Sequence, residues 1–113
     1  MLKIYHNPRC RKSREGLEIL ENSGQDFEII KYLETVPTAE ELSEVIKQLG
    51  IPPIDLVRKN EAIWKEEFKG KELSDNAIIA AMAAHPKLIE RPIVIRDGKA
   101  VIGRPPVRIK DLL

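Results

Sequence analysis

Leu2-Lys3-Ile4-Tyr5-His6-Asn7-Pro8-Arg9-Cys10-Arg11 opens the chain, and how this stretch is read decides the fold. Leu2 to Tyr5 is a short apolar run that fits a buried strand. Asn7-Pro8 marks a turn. Residues 11–23 then suit a helix, with Leu17 and Leu20 three apart and Gly24 where a helix C-terminal glycine belongs. Residues 27–31 read as a second strand. Strand, helix and strand in this order predict a right-handed crossover joining two parallel strands.

Outward from that unit the pattern turns helical. Thr38 and Glu41 have the spacing of a capping box, and Leu42, Val45, Ile46 and Leu49 follow on one helical face. Gly50 closes the helix, and Pro52-Pro53 prevents its continuation. Residues 54–57 are expected as a short helical turn. Residues 74–84 are expected as a helix, with Ser74 as N-cap and Ile78, Ile79 and Met82 facing the core. Glu61, Glu66, Glu67 and their neighbours read as a solvated face. In the last third, residues 93–95 and 100–102 flank Arg96-Asp97-Gly98-Lys99, a hairpin signal. A short helix from Lys110 completes the pattern. The expected fold is therefore α/β. It is a small mixed sheet with a helical insertion, at about residues 36–86, between an N-terminal βαβ unit and a C-terminal β-hairpin.

Composition narrows the class. With 113 residues, 42% hydrophobic and 33% charged, the chain reads as one soluble globular domain, 1–113. Nineteen Lys and Arg against eighteen Asp and Glu leave a net charge of +1, which calls for neither nucleic acid nor an acidic membrane. The longest apolar run, residues 77–84, is too short to span a bilayer, and no secretory h-region is visible. One cysteine permits no intramolecular disulfide, and with only His6 and His85 it cannot build a Cys/His zinc site. A reducing, cytoplasmic location is the expectation.

Cys10 carries the chemical interest. It falls at the start of the predicted first helix, where free backbone N–H groups and the positive end of the dipole favour a thiolate. Residues 6–14 contain Arg9, Arg11, Lys12 and Arg14 and no acid, and an anion would favour the same place. His6 either pairs with the thiol or caps the turn. The residue three after Cys10 is Ser13, so any covalent intermediate must be cleared by an outside thiol. The residue six after it is Gly16 rather than arginine, which removes the phosphate-wrapping loop of cysteine phosphatases.

Residues 5–14, Tyr-His-Asn-Pro-Arg-Cys-Arg-Lys-Ser-Arg, resemble the active-site segment of the glutaredoxin-coupled arsenate reductase family. Tyr32-Leu33-Glu34, Leu56-Val57-Arg58-Lys59-Asn60, the run from His85-Pro86 to Arg91-Pro92-Ile93-Val94, and Gly103-Arg104-Pro105 resemble later motifs of that family in the same order. The resemblance implies a thioredoxin-like fold. It implies that Cys10 attacks arsenate, that Arg58, Arg91 and Arg104 hold the oxyanion, and that Arg91-Pro92 is the cis-proline beside the cysteine, with His6, Ser13 and Pro92 in support. It also implies glutathione as cosubstrate, glutaredoxin as partner, and neither a metal nor a tightly bound cofactor. Two other activities fit the same resemblance. One is a glutathione-linked thiol oxidoreductase with another substrate. The other is a redox-responsive protein that binds RNA polymerase, although such proteins typically carry Cys-x-x-Cys where this chain has Ser13.

Overall fold

Leu2 and Ile4 alternate with the exposed Lys3, and the computed structural model, which describes residues 1–113, makes this segment strand β1 (Leu2–Tyr5). Helix α1 (Arg11–Asn22) follows, then β2 (Phe27–Ile30), α2 (Ala39–Leu49), α3 (Ala62–Glu67), α4 (Asp75–Ala84), β3 (Ile93–Arg96) and β4 (Lys99–Ile102). Short 3-10 turns occupy Pro53–Leu56, Pro86–Leu88 and Pro106–Leu112. No helix is long and apolar enough to cross a membrane. The chain divides into two compact units. The first is Met1–Thr35 with Arg91–Leu113, and the second is Val36–Glu90.

The first unit is a four-stranded mixed sheet in the order β2-β1-β3-β4. β1 runs parallel to β2 and antiparallel to β3, and β3 pairs antiparallel with β4. Ile4, Val94 and Val101 lie abreast across three strands. Leu2, Ile4 and Val94 pack with Leu20 of α1 and Ile109 of the C-terminal 3-10 turn into one apolar cluster. The hairpin needs only two loop residues. Asp97 (φ 50°) and Gly98 (φ 80°) both take the left-handed conformation that such a turn requires, so Arg96 and Lys99 belong to the strands.

The second unit is helical. Thr38 Oγ1 accepts from the Glu41 N–H, and Glu41 Oε1 accepts from the Thr38 N–H, both at 3.1 Å. Gly50 (φ 68°) ends α2 in the left-handed region. Ser74 Oγ caps α4 by accepting from the Ala77 N–H at 3.1 Å. α2 and α4 pack together, burying Leu42, Val45 and Ile46 on one and Ile78, Ile79 and Met82 on the other.

The parallel pair, the hairpin and the helices between them are as expected, and three details differ. The acidic stretch read as a solvated face contains α3, a six-residue helix in which Trp64 alone is buried. Its charges remain at the surface, so a single apolar anchor was the whole signal. The C-terminal helix begins at Pro106 rather than Lys110 and is 3-10 in form. The Arg91-Pro92 bond is cis as anticipated, and Arg104-Pro105 is cis as well.

Two glycines make room for one proline. A Cβ at Gly16, inside α1, would stand 2.8 Å from Ile109 Cδ1 and 2.9 Å from Pro92 Cγ. A Cβ at Gly103 would stand 2.8 Å from Pro92 Cγ and 2.9 Å from Ile109 Cδ1. Glycine inside a helix costs about 1 kcal/mol relative to alanine, yet α1 carries it here because any side chain would strike a rigid ring. Gly103→Ala is expected to lower stability by about 1–3 kcal/mol through overpacking. Gly16→Ala is expected to lose less, because the helix-propensity gain offsets part of the clash. Urea midpoints compared with wild type check both, and an unchanged or raised midpoint in Gly103→Ala would contradict the packing argument.

Candidate active site

Cys10 is the N-cap residue of α1. Its backbone is extended (φ −97°, ψ 123°), its N–H donates to Asn7 O at 3.0 Å, and its carbonyl accepts the Arg14 N–H at 2.9 Å. The side chain makes no capping hydrogen bond, and the first turn contains no acid. The thiol is therefore set against a helix end whose first amides have no intrahelical acceptor. Cys10 is the chain's one free cysteine and is 8% exposed.

Arg104 reaches it. Its Nε–H donates to the Arg91 carbonyl at 2.9 Å, and its Nη2 lies 3.6 Å from Cys10 Sγ. The first contact orients the guanidinium plane, and the second presents a donor to the sulfur. Arg91 contributes its backbone to this arrangement, and its own Nε and Nη1 are buried. Arg91 and Arg104 each precede a cis-proline, and Pro92 fills the space between Gly16 and Gly103. Gly16 lies in the helix that Cys10 caps, and Gly103 precedes Arg104. One packed ring thus sets the spacing of thiol and arginine.

The other predicted residues fall in two places. His6 does not pair with the thiol. Its Nδ1 shares a 2.7 Å hydrogen bond with Ser13 Oγ, which also accepts the Asn7 N–H at 2.9 Å. His6 is 4% exposed and Ser13 is fully buried. Burial pushes the His6 pKa below its ordinary 6.5. Lys31 and Arg14 push the same way, and the Ser13 hydrogen bond and Glu21 oppose them. Arg58 belongs to the second unit, beside the Val57–Ile89 bridge. There it pairs with Glu61 through Nη1 at 3.0 Å and approaches Glu90 through Nε at 3.8 Å.

The basic run around Cys10 is less concentrated than its composition implied. Glu15, one residue beyond the acid-free stretch, pairs with Arg11 at 3.3 Å and Lys12 at 3.5 Å. Arg14 braces the loop by donating from Nη1 to Pro8 O at 3.1 Å. Asn7 Oδ1 accepts the Arg9 N–H at 3.0 Å. The bracing roles of Asn7 and Arg14 had no distinct sequence signal beyond Asn7 preceding a proline. A glycine in the middle of an amphipathic helix was the visible sign of the Pro92 seat.

Known proteins resemble this chain over nearly its whole length. The profile of the ArsC family matches residues 5–112. An uncharacterised protein of Escherichia coli named YfgD is 46% identical, the match covering 99% of this chain and 96% of that protein. An arsenate reductase of Neisseria meningitidis is 41% identical over 99% of this chain and 97% of its own length. Among solved structures, an arsenate reductase from Vibrio cholerae superposes with a TM-score of 0.95 at 51% identity, covering 99% of this chain and 97% of the other.

Removing the Ser13 hydroxyl deprives His6 Nδ1 and the Asn7 N–H of one shared partner. Ser13→Ala is expected to cost about 1–3 kcal/mol, read as a lowered urea midpoint. His6 gives stability a pH dependence of definite sign. Because its folded-state pKa lies below 6.5, the unfolded chain binds more protons between the two values. The contribution is complete above pH 6.5 and is lost as pH falls through the folded value, by at most about 1.4 kcal/mol per pH unit. Urea midpoints between pH 7.5 and 5 test this: the fall should be smaller in His6→Gln, and equal slopes would contradict it.

Proposed function

The chain belongs to the ArsC family, and from that premise we propose that it reduces arsenate to arsenite with Cys10 as nucleophile and glutathione and glutaredoxin as electron donors. The observation that carries this reading is the Arg104 guanidinium, tied at Nε to the Arg91 carbonyl and presenting Nη2 to Cys10 Sγ at 3.6 Å. A cysteine sulfur beside a guanidinium at a helix N-terminus is suited to attack on an anionic centre. The donors that surround the sulfur would also hold the oxygens on which charge accumulates.

In the proposed sequence the Cys10 sulfur bonds to arsenic, and one arsenate oxygen leaves as water. Glutathione then replaces a second oxygen, again releasing water. A glutaredoxin thiolate attacks the glutathione sulfur. The two sulfurs depart joined as a disulfide, and the electron pair of the broken As–S bond stays on arsenic, reducing As(V) to As(III). Hydrolysis frees arsenite and restores Cys10. Ser13 in place of a second cysteine supports an external thiol at the reducing step. Cytoplasm, where that thiol pool is reduced, is the matching compartment. Arg91 is proposed as the second oxyanion donor. The role of Arg58 toward the same anion rests on the family resemblance alone.

The test is arsenate-dependent NADPH oxidation in the presence of glutathione, glutaredoxin and glutathione reductase. Wild type is expected to turn over, and Cys10→Ser to fall to background. Full activity in Cys10→Ser would sink the mechanism. Arg104→Gln is expected to lose about a hundredfold or more in kcat, as for other deleted oxyanion donors. Arg58→Ala is expected to raise KM for arsenate about tenfold, the value of one charge-assisted hydrogen bond. No arsenate turnover in wild type, with Cys10 still alkylated rapidly, would transfer the thiol to another substrate.

A further inference from the structure

We propose that a pocket at the carboxyl ends of β1 and β2 binds the small, carboxylate-bearing peptide thiol that adds to the Cys10 adduct. The proposal deepens the glutathione-coupled reading above and rests on it. The pocket has a volume of about 280 Å³, and its walls are residues 6–9 on one side and Lys31, Leu33 and Glu34 on the other. That is near the lower end of ligand-sized cavities, roughly 300–1,000 Å³. The crevice beyond the carboxyl ends of parallel strands is where α/β sheets place their ligands.

Both walls are held by backbone hydrogen bonds. The His6 N–H donates to Ile30 O at 2.9 Å, continuing the β1–β2 pairing to the pocket's edge. The Glu34 and Thr35 N–H groups both donate to Lys31 O, at 3.0 and 2.8 Å, folding the second wall into a tight turn. Asn7 Oδ1 is committed to the Arg9 amide, which leaves the Asn7 NH2 group to meet a ligand carbonyl or carboxylate. Arg9 lies in the wall and is the residue immediately before Cys10 in the chain, so the loop that forms this wall leads directly into the nucleophile.

The side-chain chemistry selects the ligand class. Arg9 and Lys31 supply two cations, Glu34 one carboxylate, and Pro8 and Leu33 an apolar surface. His6 adds no charge at neutral pH, since its pKa lies below the ordinary value. An inorganic oxyanion would have no use for Glu34 or Leu33 and would be repelled by the former. A γ-glutamyl tripeptide thiol carries two carboxylates, one ammonium and a short aliphatic span, which complements the two cations, the acid and the apolar surface. The first turn of α1, which Cys10 caps, contains no carboxylate to repel such a thiol.

The Cys10→Ser protein, titrated with S-methylglutathione, isolates binding from any covalent step. Saturable binding is expected, with amide chemical-shift changes at Asn7, Arg9, Lys31, Leu33 and Glu34. Lys31→Glu and Glu34→Lys are each expected to weaken it at least tenfold. Lys99→Glu makes the same charge change as Lys31→Glu at the opposite end of the sheet, where Lys99 pairs with Arg96, and is expected to leave the affinity unaltered. Absence of saturable binding, shifts confined to other residues, or an affinity indifferent to Lys31→Glu would each overturn the proposal. None of these measurements uses arsenate. A protein that binds the peptide here but does not turn over arsenate would sink the reductase reading and sustain the pocket, whereas an active enzyme that fails to bind would sink the pocket alone.

Discussion

The Pro92 ring rests in space that two absent side chains leave open. On one side is Gly16 of α1, on the other Gly103 after β4, and Ile109 touches both positions. Interiors are packed like organic crystals, so a rigid ring enclosed in this way limits how the segments around it can shift. Each segment carries a chemical group. Cys10 caps the helix that contains Gly16, Arg91 precedes Pro92, and Arg104 follows Gly103. The 3.6 Å approach of Arg104 to the thiol and its 2.9 Å tie to the Arg91 carbonyl are made by residues on the segments that meet at that seat.

A second, polar constraint shapes the approach to Cys10. Ser13 Oγ serves both His6 Nδ1 and the Asn7 amide from inside α1, so the helix holds the loop that leads into it. Arg14 adds a further tie to Pro8 O. The loop is thereby preorganised without using the thiol, whose side chain is left out of the capping network. This division of labour suits a site in which sulfur must change partners while its supports stay still.

Much of this organisation was legible in the sequence, because its signals are local. The capping box at Thr38 and Glu41, the glycine after α2 and the Asp97-Gly98 turn each depend on a few neighbouring residues. The thiol's place at a helix start followed from a strand, a turn and a helical period in succession. What escaped depends on distant partners. α3 has one buried residue and no side-chain cap, too little for a periodic pattern. His6 pairs with the Ser13 hydroxyl, one turn into α1, rather than with Cys10. Glu15 draws charge from Arg11 and Lys12 from just outside the window in which the basic run was counted. The family motifs pointed to Arg104, whose guanidinium lies beside the thiol, and to Arg91, whose carbonyl holds that guanidinium, and no local pattern could have done so. They also named Arg58, whose visible partners, Glu61 and Glu90, lie within its own helical unit.

The first unit is discontinuous in the chain, whereas the second is one uninterrupted stretch. During synthesis, β1 and α1 emerge early, yet β3, which completes the hydrogen bonding of β1, and Ile109, which closes the apolar cluster, are made only after all of residues 36–90. Vectorial folding therefore cannot finish the sheet when its first two strands leave the ribosome. The helical stretch has all its own contacts available sooner. The thiol of the nascent chain thus passes through a period without its arginine, and the pairing of the two comes into being only after the helical stretch has been made.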